Sequence, residues 1–63
     1  MTQKELLYME DAIGHETNII NIYSFTIEML EDKELKSFMI TQLKKHQNLK
    51  QKLLNAMEDI INE

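Results

Sequence analysis

Apolar residues in the first half of the chain recur at alternating steps of three and four positions from Leu6 onwards. This spacing places side chains on one side of an α-helix. A second, neighbouring stripe at the same spacing is also largely apolar, so the pattern predicts a helix over about residues 3–31 with an apolar face two stripes wide. The first stripe is Leu6, Met9, Ile13, Glu16, Ile20, Tyr23, Ile27 and Leu30, and the second is Tyr8, Ala12, His15, Ile19, Ile22, Thr26 and Met29.

The apolar phase breaks near the middle of the chain. Continued in step, the first stripe meets only polar residues from Glu34 onwards, whereas a new apolar stripe begins at Leu35. We therefore expect a turn at about residues 31–34 and a second helix over about residues 33–61. Asp32 is suited to cap this helix, because its carboxylate can accept the unpaired amides of the first turn. The new stripe is Leu35, Met39, Gln42, His46, Leu49, Leu53, Ala56 and Ile60, and it is widened by Phe38, Leu43, Leu54, Met57 and Ile61.

Two helices with a short connection pack antiparallel, so the prediction is an all-α helical hairpin forming one domain. One continuous helix is the alternative, since no Pro or Gly forces a turn, but the phase break argues against it. Each helix covers only one stripe of the other, and the uncovered apolar stripes predict a partner surface. A two-fold homodimer that completes a four-helix bundle is the commonest solution. The interface residues expected are Leu6, Met9, Ile13, Ile19, Ile20, Ile22, Tyr23, Ile27, Leu30, Met39, Leu43, Leu49, Leu53 and Ile60.

Size and composition favour the same conclusion. A chain of 63 residues lies near the lower size limit for folding alone, and it has no cysteine for a disulfide or a thiolate metal site. The remaining ways to stabilise so small a fold are a partner chain, a metal held by His and carboxylates, or unusually good packing. The net charge of −4 and pI near 5.0 predict no binding to nucleic acid or to anionic membranes. No membrane span or N-terminal signal segment is visible, so we expect a cytoplasmic protein.

Two ionisable residues interrupt the core stripes near the middle of their helices, Glu16 in the first and His46 in the second. The hairpin places them in the same layer. A buried carboxylate needs a partner, and three interpretations follow. In the first, Glu16 hydrogen-bonds His46, with Gln42 as a further partner, and fixes the register of the helices. In the second, the residues lie at a wet rim. In the third, two copies of each bind zinc or iron across a dimer.

Other residue types give little sign of catalysis. The sequence has no recognisable nucleophile, Gly-rich phosphate loop or catalytic carboxylate pair, so we expect no enzymatic activity. A basic cluster in the second helix is typical of a solvated face, and it could also meet the acidic first helix of another hairpin. This cluster is Lys44, Lys45, Lys50 and Lys52.

The first helix carries the segments Lys4-Glu5-Leu6-Leu7, Glu10-Asp11 and His15-Glu16, with Tyr23 and Glu28, and from the turn onwards the chain carries residues 31–35, Leu43, His46 and Met57. Together these residues and their helical spacing resemble the coat F-type spore coat proteins of endospore-forming bacteria. The resemblance implies a structural role in the spore coat, with other coat proteins as partners. Members commonly carry an aromatic, Gly-containing tail, whereas this sequence stops at Asn62-Glu63.

That family is itself similar to ferritin-like bundles, in which a Glu on one helix and a Glu-x-x-His motif on the next bind two irons. Glu16 matches the first position and His46 the last, but Leu43 stands where the motif has Glu. The resemblance therefore implies a reduced Glu/His site for one metal at most. We expect a non-enzymatic assembly protein that self-associates. The alternatives are a small metal-binding four-helix protein and an interaction module for a different helical protein.

Overall fold

The structure, a computed structural model, describes residues 1–62 of the chain. These residues form two α-helices, α1 over Gln3–Met29 and α2 over Lys33–Ile61. The helices run antiparallel as a hairpin whose Cα atoms span 46 × 15 × 11 Å. The predicted all-α helical hairpin is therefore confirmed.

The first turn of α1 is held by a reciprocal pair of hydrogen bonds between Thr2 and Glu5. The Glu5 N–H donates to Thr2 Oγ1 at 3.1 Å, and the Thr2 N–H donates to Glu5 Oε1 at 3.1 Å. This capping box pairs two amides that have no partner within the helix. The Thr2 N–H, helped by the Thr2 hydroxyl, lowers the pKa of Glu5. The cap therefore stabilises α1 at neutral pH and is lost as pH falls through that lowered pKa.

The connection between the helices is the three-residue segment Leu30–Asp32. Helix α1 ends at Met29, two residues before the predicted end, because Leu30 is extended with φ −77° and ψ 135°. The Asp32 carboxylate accepts the Leu35 N–H at 2.9 Å, which confirms Asp32 as the N-cap of α2. The reversal thus uses an extended residue and a side-chain cap, and it needs no glycine.

The seam, by which we mean the row of half-buried residues where α1 and α2 pack together, recurs at alternating steps of three and four residues on both helices. On α1 it is the predicted first stripe. On α2 it begins at Lys36, so the prediction is wrong for Leu35, Leu49 and Ala56, which are exposed. The apolar residues of α2 flank the seam on both sides, and the apolar stems of two lysines complete it. The half-buried seam of α2 is Lys36, Met39, Leu43, His46, Lys50, Leu53, Met57 and Ile60.

One side of the hairpin is broadly apolar and uncovered. In an antiparallel pair with this spacing, equivalent flanking positions of the two helices lie on the same side of the seam. The second stripe of α1 therefore adjoins the matching stripe of α2, and we call the two together the outer face. Its members are Tyr8, Ala12, His15, Ile19, Ile22, Thr26 and Met29 from α1, with Leu35, Phe38, Gln42, Lys45, Leu49, Lys52, Ala56 and Asp59 from α2.

The opposite side of the hairpin is more polar. Its α1 positions include Glu10, Thr17 and Ser24, and the two hydroxyls donate to backbone carbonyls one turn back. Large apolar side chains are exposed outside the outer face as well, at Leu7 and Phe25 of α1 and at Ile40, Leu54 and Ile61 of α2. No residue of the described chain is fully buried. Within the same residues, neither helix is long and apolar enough to cross a membrane.

Replacing Asp32 tests the cap at the reversal. We expect Asp32→Ala to lower the free energy of unfolding by about 1 kcal/mol, because the Leu35 amide loses its acceptor. Asp32→Asn is the matched control and should retain most of the stability, since its amide oxygen can accept the same bond. Urea denaturation followed by circular dichroism measures both, and an equal loss in the two variants would contradict the capping role.

Candidate polar site in the helix seam

The two ionisable residues of the seam are in direct contact. Glu16 Oε2 lies 2.6 Å from His46 Nδ1, although the residues are 30 positions apart in sequence. Glu16 is the middle residue of α1, and His46 is one residue from the middle of α2. The predicted pairing of these residues is confirmed, and it lies halfway along the hairpin.

The contact fixes which ring nitrogen of His46 carries a proton. An ionised carboxylate can only accept hydrogen bonds, so Nδ1 must be the donor when Glu16 is charged. The Nε2 atom is then the remaining acceptor of a neutral ring, or a second donor of a charged one. The Glu16 carboxylate therefore holds the imidazole in one orientation and one tautomer.

Tyr23 forms the other wall of this site. Its ring meets the His46 ring edge to face, with centroids 5.4 Å apart and planes at 86°. Tyr23 lies seven residues after Glu16 on the same stripe of α1, so His46 projects between them. The sequence analysis predicts Tyr23 in the interface but does not connect it with His46. Its spacing of two helical turns from Glu16 is the sequence feature that could have indicated this contact.

Burial of the pair is partial within one hairpin. The Glu16 side chain is 13% exposed and the His46 side chain is 25% exposed. Gln42, expected as a further partner, is half-buried, but its side chain makes no hydrogen bond to the pair within residues 1–62. The site is thus a contact between two polar side chains. Its burial is intermediate between the two predicted cases, a buried polar layer and a wet rim.

The side chains near the pair do not complete a metal site within one hairpin. No group of three or more His, Asp or Glu residues comes together in the described part of the chain. His15, adjacent to Glu16 in sequence, is exposed and belongs to the outer face. A single hairpin therefore offers Glu16 and His46 alone, and any metal would need ligands from a second copy or from water.

The cavities on the hairpin lie away from this site. One is lined by residues of both chain ends, including Thr2, Leu6 and Ile60, and another lies along the last turns of α2. Both are mainly apolar surface depressions at the open end of the hairpin. Neither depression is lined by Glu16 or His46, so the polar pair is a separate feature and is the candidate site for function.

Breaking the pair should destabilise the hairpin. We expect His46→Ala to lower the free energy of unfolding by about 1–3 kcal/mol, since Glu16 would keep a mostly buried charge without its partner. Urea denaturation measures the change at one fixed protein concentration, because the stability of any chain that associates depends on its concentration.

Gln47→Ala is the matched control for this variant. It removes an exposed polar side chain adjacent to His46 and outside the outer face, and it should change the stability by no more than about 0.5 kcal/mol. An equally small effect of His46→Ala would show that the pair contributes nothing to folding.

Comparison with known proteins identifies no relative of this chain. No protein-family model matches the chain, and neither a curated protein nor a solved structure matches it. The functional argument therefore depends on the hairpin itself and on the resemblance carried by its own residues.

Proposed function

We propose that this protein is a non-enzymatic structural or assembly protein that acts by self-association through its outer face. The observation that carries the proposal is the run of exposed apolar side chains on one side of the hairpin. Ile22 is 60% exposed, Met29 63% and Phe38 59%. Contiguous apolar surface of this kind marks an association site.

The dimensions of the outer face suit a stable dimer. The Cα extents of 46 Å by 15 Å correspond to roughly 700 Å² before side chains are added. A standard specific interface buries about 800 Å² on each partner. One further hairpin is therefore sufficient to cover the face.

The interior of a single hairpin supports the same proposal. None of the described residues is fully buried, and the chain lies in the size range that needs help from outside its own core. Disulfides are ruled out because the sequence has no cysteine. A second hairpin would bury the second stripes of both helices and supply the missing core.

The resemblance to coat F-type spore coat proteins gives this self-association a biological setting. An assembly role needs a folded unit with an exposed apolar surface, and the exposed side chains of the outer face support that role. On this proposal the protein contributes to the spore coat, where dimers meet other coat proteins.

Self-association is tested by the oligomeric state in solution. We expect a dimer at micromolar concentration in sedimentation equilibrium, and we expect Ile22→Glu to convert it to a monomer. The new charge would be desolvated in the dimer but would remain in water in a single hairpin.

Leu7→Glu is the matched control, because Leu7 is an equally apolar, exposed residue of α1 that lies outside the outer face. This variant should remain dimeric. A folded monomer of the unaltered protein at micromolar concentration would refute self-association.

A second candidate function is metal binding, and the orientation of His46 favours it. With Nδ1 donating to the Glu16 carboxylate, Nε2 is the ring atom that could bind a metal. Metal-ligating histidines are commonly oriented by a carboxylate in this way. Two copies brought together at their midpoints would offer two such imidazoles, which suit zinc or iron.

Elemental analysis of untagged dimer tests this candidate. It predicts about one zinc or iron per dimer, lost in His46→Ala and retained in His15→Ala. Chelation should then lower the melting temperature of the unaltered protein. Metal at background level, with a melting temperature that chelation leaves unchanged, would exclude it.

A further inference from the structure

The outer face allows two symmetric ways of seating a second hairpin, if the proposed self-association holds. For two hairpins packed face to face, the two-fold axis must lie in the interface plane. If the axis runs parallel to the helices, both turns lie at the same end of the dimer and α1 packs against α2 of the other copy. If the axis runs across the helices, the turns lie at opposite ends and each helix packs against the same helix of the other copy.

The register of the hairpin fixes which residues would meet. His46 contacts both Glu16 and Tyr23, so it lies level with the residue midway between them on α1, near Ile20. Each step forward along α1 matches one step back along α2, because both helices rise about 1.5 Å per residue. Ile13 is then level with Leu53, and Ile27 with Met39.

The two helices carry opposite charge. Helix α1 contains one lysine and five carboxylates, whereas α2 contains six lysines and three carboxylates. Seating α1 against α2 therefore sets an acidic helix beside a basic one. Seating like helices together sets basic beside basic and acidic beside acidic.

The lysines on the rim of the outer face make this difference specific. Lys45 and Lys52 are exposed on the α2 edge of the face, on either side of the midpoint of the hairpin. With turns at opposite ends, Lys45 lies within one helical turn of the second copy's Lys52. The two-fold axis repeats this pair of like charges on the other copy. Like charges so placed oppose that arrangement.

With turns at the same end, the same edge of α2 runs beside α1 of the second copy. Lys45 is then level with Ile22, and Lys52 with His15, one turn from which the exposed Asp11 lies at the edge of the outer face. At the open end, Asp59 is level with Tyr8, over whose ring the Lys4 ammonium lies at 5.9 Å from the centroid. Both charged contacts join opposite signs, and each occurs twice.

We infer that the homodimer forms with both turns at the same end, so that α1 of each copy lies against α2 of the other. The partner is a second copy of this chain, and the charged rim of the outer face selects its orientation. The Glu16–His46 pairs of the two copies are level in this dimer, at the middle of the bundle.

Lys52→Glu distinguishes the two orientations by the sign of its effect. In the inferred dimer it sets a carboxylate near Asp11 twice, so the dissociation constant should rise about five-fold at low salt. With turns at opposite ends, it would instead pair with Lys45 and tighten the dimer. Sedimentation equilibrium of the full chain measures the change.

Lys44→Glu is the matched control, since Lys44 is an exposed lysine of α2 outside the outer face. It makes the same change in net charge, and the dissociation constant should stay within about two-fold of that of the unaltered protein. A tighter dimer in Lys52→Glu, or one no weaker than Lys44→Glu, would overturn the orientation while leaving self-association intact. A monomeric unaltered protein would overturn both.

Disulfide trapping gives a second readout, because the chain has no cysteine of its own. Mixed Ile22→Cys and Lys45→Cys chains should form a cross-linked heterodimer on mild oxidation in the inferred orientation. Mixed Lys45→Cys and Lys52→Cys chains are the matched pair for the other orientation. Efficient cross-linking of the second mixture and not the first would overturn the inference.

Discussion

The contact between α1 and α2 runs along one stripe of each helix, and it covers much less apolar surface than the helices carry. On α1, the apolar arc extends from the seam across the second stripe to Ile22 and Met29. Since burial of apolar area is the main favourable term in folding, a single hairpin leaves much of that term unused. The fold and the proposed self-association would therefore both follow from the same excess of apolar surface.

The seam itself is a compromise between packing and selectivity. Lys36 and Lys50 contribute stems where a larger core would place leucine, and Glu16 with His46 occupies its centre. Polar groups at such positions add less stability than apolar ones, but the Glu16–His46 pair penalises a slipped register, because each residue would lose its partner. In this hairpin that contact of 2.6 Å joins the two helices at mid-length and favours the observed alignment.

The sequence predicted α1, the turn and the Glu16–His46 contact because each follows from local spacing and from equal rise along two helices. It misassigned Leu35, Leu49 and Ala56 to the α2 seam, because leucine carries a strong apolar signal whereas the lysine stems at positions 36 and 50, which lie in the seam instead, carry none. It also left Tyr23 unconnected with His46, since side-chain directions across a seam depend on packing. The outer face is visible in the sequence as a second apolar stripe, but its occupant remains a proposal, because it concerns a second molecule.

The three-residue reversal also gives the hairpin an order of assembly. Contacts beside Leu30–Asp32 close short loops, and each contact farther along the seam closes a longer one, with each doubling of loop length costing about 0.6 kcal/mol. Folding is then expected to run as a zipper from the Asp32 cap towards the chain ends. The Glu16–His46 bond, which closes a separation of 30 residues, marks its halfway point. Beyond that point the remaining turns have a fixed register to follow, while the open end by Leu6 and Ile60 is last to close and first to fray.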